Sequence, residues 1–300
     1  MPLPENPVIV VRSLRKLYGP TAALDGLNLT VGAGEVHGFL GPNGAGKSTT
    51  IRILLGLAKA SSGTVSVLGR DPWRSQTTAK PDIAYVPGDV ALWPNLTGGE
   101  IIDLIGTLRG GGDRATKQRL IADFDLDPRK KARTYSKGNR QKVALIAAFS
   151  RPAPLYVLDE PTSGLDPVME AVFRTEVQRV REGGATVLLS SHLLNEVEQL
   201  CDRVTIVREG RSVQTSTLTQ LRELSATTFR VSGIPVSGIA AIPGVGAIDE
   251  ADGFVSFTAT SASIPLVLAA FSGHSVTSLT AAPPTLESLF MQHYSTGAPK

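Results

Sequence analysis

The sequence predicts an α/β protein, with a large layered domain over residues 1–224 and a small α+β domain over residues 225–300. In the first part, short β-rich runs alternate with helical patterns, which is typical of a sheet covered by helices. The run Pro154 to Leu158 is continuously apolar, as expected for a central parallel strand buried on both faces. After Ser225 the composition becomes rich in Ala, Ser, Thr and Gly, so we place the boundary there.

The predicted elements of the large domain follow from local patterns. Runs rich in β-branched and apolar residues predict strands at Val8–Val11, Leu27–Val31, Val36–Leu40, Thr64–Leu68, Ile83–Val86, Leu155–Leu158, Thr186–Ser190 and Val204–Val207. Apolar residues at helical spacing predict helices at Thr50–Leu57, Ile101–Leu108, Arg114–Phe124, Asn139–Phe149, Val168–Arg181 and Leu193–Leu200.

The small domain is predicted to begin after a closing helix at Leu218–Ser225. Its elements follow in the order strand, helix, strand, strand, helix, strand, helix, which suggests a split βαβ sandwich. They lie at Thr228–Val231, Ser237–Ile242, Gly246–Asp249, Phe254–Thr258, Ser263–Phe271, Val276–Leu279 and Leu286–His293.

Composition narrows the function classes. The chain has 300 residues, a hydrophobic fraction of 42% and a net charge of +3. Basic residues are scattered and form no stripe interleaved with aromatic residues, which argues against a nucleic-acid partner. No apolar run approaches the length of a membrane span, so a cytoplasmic protein is expected. Cys201 is the only cysteine, which excludes an internal disulfide and favours a buried apolar role.

The strongest motif is a glycine-rich loop between the strand Val36–Leu40 and a helix. Its glycines let backbone N–H groups converge on phosphate oxygens, and the helix N-terminus adds a partial positive charge. Lys47 can reach the β- and γ-phosphates, and Ser48 can ligate Mg²⁺. The loop therefore predicts binding of a nucleoside triphosphate by Gly41, Pro42, Asn43, Gly44, Ala45, Gly46, Lys47, Ser48 and Thr49.

Two acids end the apolar strand Leu155–Leu158. Asp159 lies at the carboxyl end of the strand, where open α/β sheets bind ligands, and can bind Mg²⁺ through its coordination shell. Glu160 can polarise the attacking water. The alternative is a pair of acids that caps a helix.

A second candidate phosphate device precedes the helix Asn139–Phe149. Ser136 is a plausible helix N-cap, which is the purely structural interpretation. A serine and the close-approach Gly138 at an uncovered helix N-terminus also suit a phosphate. Because one nucleotide cannot easily use both devices of a single chain, two chains are expected to share each nucleotide.

Together these motifs resemble the nucleotide-binding subunit of an ATP-binding cassette (ABC) transporter. The resemblance covers Val8 to about Leu224 and implies a P-loop NTPase fold with a helical subdomain at about residues 89–152. By this likeness, Ser136 and Gly138 contact the γ-phosphate of ATP held by the opposite subunit. Tyr18 stacks on adenine, the loop ending in Asp166 links the two sites, and His192 contacts the γ-phosphate. Taken alone, Tyr18 and His192 are ordinary packing or surface residues.

The chain departs from the family pattern at two positions. Gly88 and Asp89 follow the strand Ile83–Val86, where the family has Gln, and Gly88 offers no side chain to a metal or water. The signature reads Ser136-Lys137-Gly138-Asn139 rather than Ser-Gly-Gly-Gln. In these two departures and in the tail segment Thr285–Phe290, the chain resembles exporter ATPases of the daunorubicin, bacitracin and tetronasin resistance type.

The resemblance implies an ATPase that uses ATP and Mg²⁺ to power export of drugs, antibiotics or other hydrophobic compounds. The catalytic residues would be Glu160, His192 and Lys47, and the metal ligands Ser48 and Asp159. The expected partners are a second copy, or a related ATPase, and a separately encoded membrane permease that holds the chain at the inner face of the cell membrane. The loop containing Trp93 is a candidate docking surface for that permease or, equally, a packed loop.

Other functions remain open at this level. A soluble ABC ATPase without a membrane subunit is disfavoured by the single phosphate loop and the absence of a long heptad-patterned insertion. A nucleotide kinase or GTPase is disfavoured by Ser136, by His192 and by the lack of an Asn-Lys-x-Asp motif. An ATP-gated binding module with low turnover is suggested by Gly88.

Overall fold

A computed structural model of the chain describes residues 6–75, 82–223 and 226–282. Contacts divide the chain into two compact units, Met1–Thr215 and Ser216–Lys300. The boundary predicted after residue 224 lies nine residues beyond the observed division, so the short helix Leu218–Glu223 belongs to the second unit. In the described part of the chain, no helix is both long and apolar enough to cross a membrane.

The strands of the first unit form two sheets. They are β1 (Pro7–Tyr18), β2 (Thr21–Gly32), β3 (Val36–Leu40), β4 (Ser62–Val67), β5 (Ile83–Val86), β6 (Leu155–Asp159), β7 (Thr186–Ser191), β8 (Arg203–Arg208) and β9 (Arg211–Thr217). An antiparallel sheet has the order β2-β1-β4, and a six-stranded sheet has the order β5-β6-β7-β3-β8-β9. In the larger sheet, β5, β6, β7, β3 and β8 run parallel.

The larger sheet positions the site. Every residue of β3, β6 and β7 is buried, because these strands are apolar and helices cover both faces. The prediction that Leu155–Leu158 forms a central parallel strand is confirmed. Since parallel strands end at the same edge, the segments that follow Leu40, Val86, Asp159 and Ser191 are brought together there.

Helices connect these strands. They are α1 (Lys47–Leu54), α2 (Gly98–Leu108), α3 (Arg114–Asp123), α4 (Lys137–Phe149), α5 (Pro167–Glu182) and α6 (Leu194–Leu200). The helix α2 begins three residues before the predicted start at Ile101. Thr97 and Glu100 form a capping box there, which starts the helix despite the two glycines of its first turn.

The sequence patterns missed or shortened several strands. The strand β9 was not predicted, because its residues are mostly polar and lack a run of apolar side chains. The strands β1 and β2 form a long hairpin joined at Tyr18 and Thr21, whereas only the apolar part of each was predicted. In both cases, backbone pairing with a neighbouring strand extends the element beyond its apolar residues.

The second unit opens with the short helix α7 (Leu218–Glu223) and is a split βαβ sandwich, as predicted. Its further elements are β10 (Thr227–Ser232), α8 (Val236–Ala240), β11 (Val245–Ala251), β12 (Phe254–Ala259), α9 (Ile264–Ala270) and β13 (Ser278–Ala282). The four strands pair antiparallel in the order β11-β12-β10-β13, around the stacked rings of Phe229 and Phe257. The predicted helix Leu286–His293 and the tail motif Thr285–Phe290 lie outside the described residues.

Candidate nucleotide site

The glycine-rich loop joins β3 to α1 and needs its glycines. Gly46 is the N-cap of α1 and has a φ of 104°. A Cβ atom at Gly46 would lie 2.6 Å from Leu24 Cδ2, and one at Gly41 would lie 2.5 Å from the carbonyl oxygen of Val207. Any other residue would push the loop away from the sheet. With no side chain at the N-cap, the first N–H groups of α1 point into the loop, which is the arrangement that binds phosphate.

The loop encloses a small pocket of about 160 Å³. Residues 42–44 and 46–49 line it, together with Ala23 of β2 and Glu160. Gly41 and Ala45 are buried and do not line the pocket, so they shape the loop from behind. Seven of the nine predicted loop residues therefore face one cavity, and an acid from another strand end faces the same cavity.

Lys47 is the cation of this pocket. Its side chain is 5% exposed, and its Nζ donates to the carbonyl oxygens of Gly41 at 2.6 Å and Pro42 at 3.3 Å. It lies 3.7 Å from Glu160 Oε1. Burial lowers the pKa of Lys47, while the negative charges of Glu160 and Asp159 oppose that shift. A buried ammonium group whose hydrogen-bond partners are neutral carbonyl groups is well placed to bind an anion.

Two acids occupy the carboxyl end of β6. Asp159 is 5% exposed, and its carboxylate accepts a hydrogen bond from Ser190 Oγ. Glu160 has a left-handed φ of 46°, and its N–H donates to the carbonyl oxygen of Ser190 at 3.0 Å. Neither acid is the N-cap of the next helix, since α5 is capped by Asp166.

The carboxylate of Glu160 lies between two cationic or potentially cationic groups. Lys47 Nζ is 3.7 Å from Glu160 Oε1, and His192 Nδ1 is 3.4 Å from the same oxygen. The side chain of His192 remains 47% exposed. Glu160, which lines the pocket, therefore has the ammonium group of Lys47 on one side and the imidazole ring of His192 on the other.

Buried polar groups hold the turn that carries His192. Ser191 Oγ donates to Glu196 Oε2 at 2.7 Å and accepts the N–H of Leu193 at 3.0 Å. Burial raises the pKa of Glu196, although the hydrogen bond from Ser191 opposes the shift. The supporting roles of Ser190, Ser191 and Glu196 were not predicted. The only signal was a pair of serines at the end of an apolar strand.

Gly88 lies beside Asp159. A Cβ atom there would be 3.3 Å from the carbonyl oxygen of Asp159 and 3.6 Å from its Oδ2. Burial, followed by the charge of Asp159, raises the pKa of the nearby Tyr85 to about 12. Asp89 is exposed. A side chain at position 88 would therefore stand on the carboxylate of Asp159, and glycine leaves that side of the carboxylate uncovered.

Ser136 and Asp166 act as helix caps in the structure. Ser136 Oγ accepts the N–H of Asn139 at 3.2 Å and caps α4. Asp166 Oδ1 accepts the N–H groups of Val168 and Met169, both at 3.0 Å, and caps α5. The structural interpretation of Ser136 therefore holds, and it leaves the serine at the end of an open helix N-terminus.

The loops that carry these two caps touch each other. A Cβ atom at Gly138 would lie 2.4 Å from the carbonyl oxygen of Gly164, so this contact requires glycine. Lys137 Nζ donates to Ser163 Oγ at 2.7 Å. The buried Gln141 of α4 donates to the carbonyl oxygen of Pro161 at 2.9 Å, which ties α4 to the segment after Glu160. Spacing along the chain did not predict the role of Gln141.

Some predicted residues do not join the pocket of the same chain. Ser136, Gly138 and Asp166 are not among the described residues that line it, and neither is Tyr18. Tyr18 lies at the end of β1, is 48% exposed and has Lys16 Nζ 4.8 Å from its ring centroid. The structure thus separates the predicted site residues into a group around the phosphate loop and a group outside it.

Comparison with known proteins identifies the family. A family model described as ABC transporter matches residues 24–163. The daunorubicin resistance ATP-binding protein DrrA3 of Streptomyces coeruleorubidus is 39% identical over 219 residues, which are 71% of this chain and 69% of the relative. The chain belongs to the ABC transporter family. As an ABC protein with an intact phosphate loop, it binds ATP and is an ATPase.

Two further comparisons agree with this ABC assignment. The bacitracin transport ATP-binding protein BcrA of Enterococcus faecalis is 33% identical over 230 residues, covering 75% of each chain. A solved structure described as the dimeric structure of MJ0796, a bacterial ABC transporter cassette, has a TM-score of 0.65 and 25% identity. It covers 70% of this chain and 98% of its own. The ABC fold predicted from the motifs is therefore confirmed.

Proposed function

We propose that this ABC ATPase powers the export of drugs, antibiotics or similar hydrophobic compounds through a separately encoded membrane subunit. The observation that carries the ATPase part is that Lys47 and His192 both lie within 4 Å of Glu160, which lines the phosphate-loop pocket. The printed names of two relatives, which concern daunorubicin resistance and bacitracin transport, support the exporter part.

Each residue of the pocket has a proposed role. The loop residues 41–49 bind the phosphates through backbone N–H groups, and Lys47 neutralises the charge of the β- and γ-phosphates. Glu160 orients the attacking water and accepts its proton, while His192 stabilises the negative charge of the transferred group.

The donor set also fits Mg²⁺, a hard cation that prefers oxygen ligands. Ser48 supplies a hydroxyl group in the pocket, and Asp159 supplies a buried carboxylate that Ser190 orients. When bound, the ion supplies positive charge to the phosphate oxygens. Ser48 and Asp159 are the residues proposed to hold it.

The active unit is proposed to contain two copies, or one copy and a related ATPase. Ser136, Gly138 and Asp166 lie outside the pocket of their own chain, yet two of them present the N-termini of α4 and α5. A second chain would bring these groups to the γ-phosphate held by the first. The dimeric state printed for the MJ0796 cassette supports this arrangement.

The membrane subunit is proposed to dock on the loop before α2, which would keep the ATPase at the inner face of the membrane. Trp93 is 51% exposed there, and Pro94 is exposed beside it. Leu92 and Leu96 are half-buried. This loop follows Gly88, where a Cβ atom would lie 3.3 Å from the carbonyl oxygen of Asp159, so the proposed docking loop is joined directly to a residue beside the acid pair.

The substitution Glu160→Gln tests the catalytic assignment. It keeps the size and hydrogen-bonding capacity of the side chain but removes the base, so turnover should fall by a factor of about 100 or more while ATP binding persists. Phosphate release and ATP binding are measured on the same preparation. The control is Glu182→Gln at the exposed end of α5, which should leave turnover unchanged. Retained hydrolysis in Glu160→Gln would remove Glu160 from the catalytic role.

The membrane subunit provides the second test. Phosphate release is measured for the ATPase alone and after reconstitution with the membrane protein that co-purifies with it. Stimulation by the membrane protein is expected. Equal and very low release in both samples would favour an ATP-gated binding module instead.

A further inference from the structure

A second concavity of the first unit lies at the amino-terminal ends of β6 and β7, whereas the nucleotide pocket lies at the carboxyl ends of these strands. Its lining includes Arg119 of α3, Phe149 of α4 and Arg179 of α5. The space is about 550 Å³. This volume is typical of small-molecule sites, so we call this feature the α3–α5 groove.

The floor of the α3–α5 groove is apolar. The rings of Phe149 and Tyr156 stack at a centroid distance of 5.4 Å beneath it. The exposed Pro152 and Pro154 and the partly buried Val180 complete the surface. A flat apolar ring can lie on such a surface, because the exposed proline rings are rigid and carry no polar side-chain group.

The two arginines of the groove, Arg119 and Arg179, differ in how closely they pair with the carboxylate of Glu176. Glu176 is buried and accepts two hydrogen bonds from Arg119, at 2.7 and 2.9 Å. Arg119 also donates to Asp123, which does not line the groove. Arg179 reaches the same carboxylate only at 3.7 Å, and its side chain is 53% exposed. The lining of the groove therefore carries two guanidinium groups and one carboxylate, and the exposed Arg179, with its longer contact, is the cation at the rim.

We propose that the α3–α5 groove binds a small organic anion with a flat apolar body. The apolar body lies on Phe149, Pro152 and Val180, and the anionic group pairs with Arg179. This site is separate from ATP, because it uses the amino ends of the strands. Because α3, α4 and the start of β6 all contribute to the lining, the ligand contacts both the helical segment that leads to α4 and the sheet that carries the acids.

The test uses the fluorescent aromatic sulfonate 8-anilinonaphthalene-1-sulfonate as the probe, with the full chain. Wild type should bind one equivalent saturably. Arg179→Ala should weaken binding about tenfold, because one charge-assisted contact is lost, and Arg179→Lys should restore most of it. Arg174→Ala is the matched control, since Arg174 lies on the same helix, pairs with Glu170 and does not line the groove. It should bind the probe like wild type.

Competition with ATP in the presence of EDTA locates the dye. The α3–α5 groove predicts that ATP does not displace it. Equal affinities of wild type and Arg179→Ala, or displacement by ATP, would overturn the assignment. Thermal unfolding of each variant shows whether it is folded. If Arg179→Ala does not fold, Arg179→Gln, which removes the charge but keeps most of the side chain, should weaken binding in the same way, and unchanged affinity of that variant would overturn the assignment.

Discussion

The predicted site residues around the phosphate loop and those outside it differ in whether a single chain brings them together at one pocket. Around the phosphate loop, Glu160 Oε1 lies 3.7 Å from Lys47 Nζ and 3.4 Å from His192 Nδ1. In the other group, the side chains of Ser136 and Asp166 are engaged as helix caps outside that pocket. The first group is assembled by one sheet edge. The second is a pair of helix N-termini, which we propose meet the phosphate held by another chain.

This contrast explains why a cap and a ligand-binding role are compatible. A capping side chain accepts one or two of the first N–H groups and leaves others directed outward. It also fixes the angle at which the helix begins. The caps of α4 and α5 therefore position the N-termini that are proposed to meet the phosphate of a second chain.

The largest effect is expected for Lys47→Ala. Removal of the buried ammonium group deletes the charge-assisted contacts to phosphate, so ATP affinity should fall about a hundredfold. Isothermal titration calorimetry measures it. Lys117→Ala is the control, because Lys117 pairs with Asp103 away from the pocket and should retain affinity. Near-normal affinity of Lys47→Ala would contradict the phosphate-loop assignment.

A smaller effect distinguishes a cap that only stabilises from one that also serves the site. Asp166 and Asp113 cap their helices through the same pair of N–H groups, two and three residues ahead. Replacing either with Ala should cost about 1 kcal/mol of unfolding free energy in urea denaturation. Only Asp166→Ala should also lower ATP turnover, by about tenfold. Equal turnover of the two variants would assign Asp166 to stability alone.

The smallest effect concerns the turn that carries His192. Burial raises the pKa of Glu196 above its unfolded value, so the ionised carboxylate destabilises the fold at a pH above its folded pKa. That cost disappears as the pH falls toward the unfolded pKa. Glu196→Gln keeps an acceptor for Ser191 and should raise Tm by a few degrees at pH 8, and this gain should shrink as the pH falls toward the unfolded pKa of the glutamate. The exposed Glu182→Gln is the control, and a gain that is independent of pH would contradict this account.

Much of the first group could be predicted from sequence because its chemistry is local. The spacing of glycines and Lys47 defines the loop, and the acids Asp159 and Glu160 follow a strand that its apolar run identifies. The parallel topology then brings these segments together. Sequence reasoning thus reached the main parts of the nucleotide pocket and the order of the small domain.

The supporting contacts could not be predicted because their partners are distant in the chain. Ser190 lies 31 residues from Asp159, and Gln141 lies 20 residues from Pro161. Neither residue type signals its partner through spacing. The strand β9 was missed for a related reason, since its pairing rather than its polar composition makes it a strand.

The most direct test of the shared site mixes two inactive variants. Lys47→Ala impairs the phosphate loop, and Ser136→Ala impairs the N-terminus of α4 that is proposed to meet the phosphate of the other chain. Each variant alone should therefore turn over little ATP. A dimer of one Lys47→Ala chain and one Ser136→Ala chain contains one intact site. With random pairing the mixture should regain up to about a quarter of the wild-type turnover. A mixture that is as inactive as its components would contradict the claim that two chains complete each ATP site.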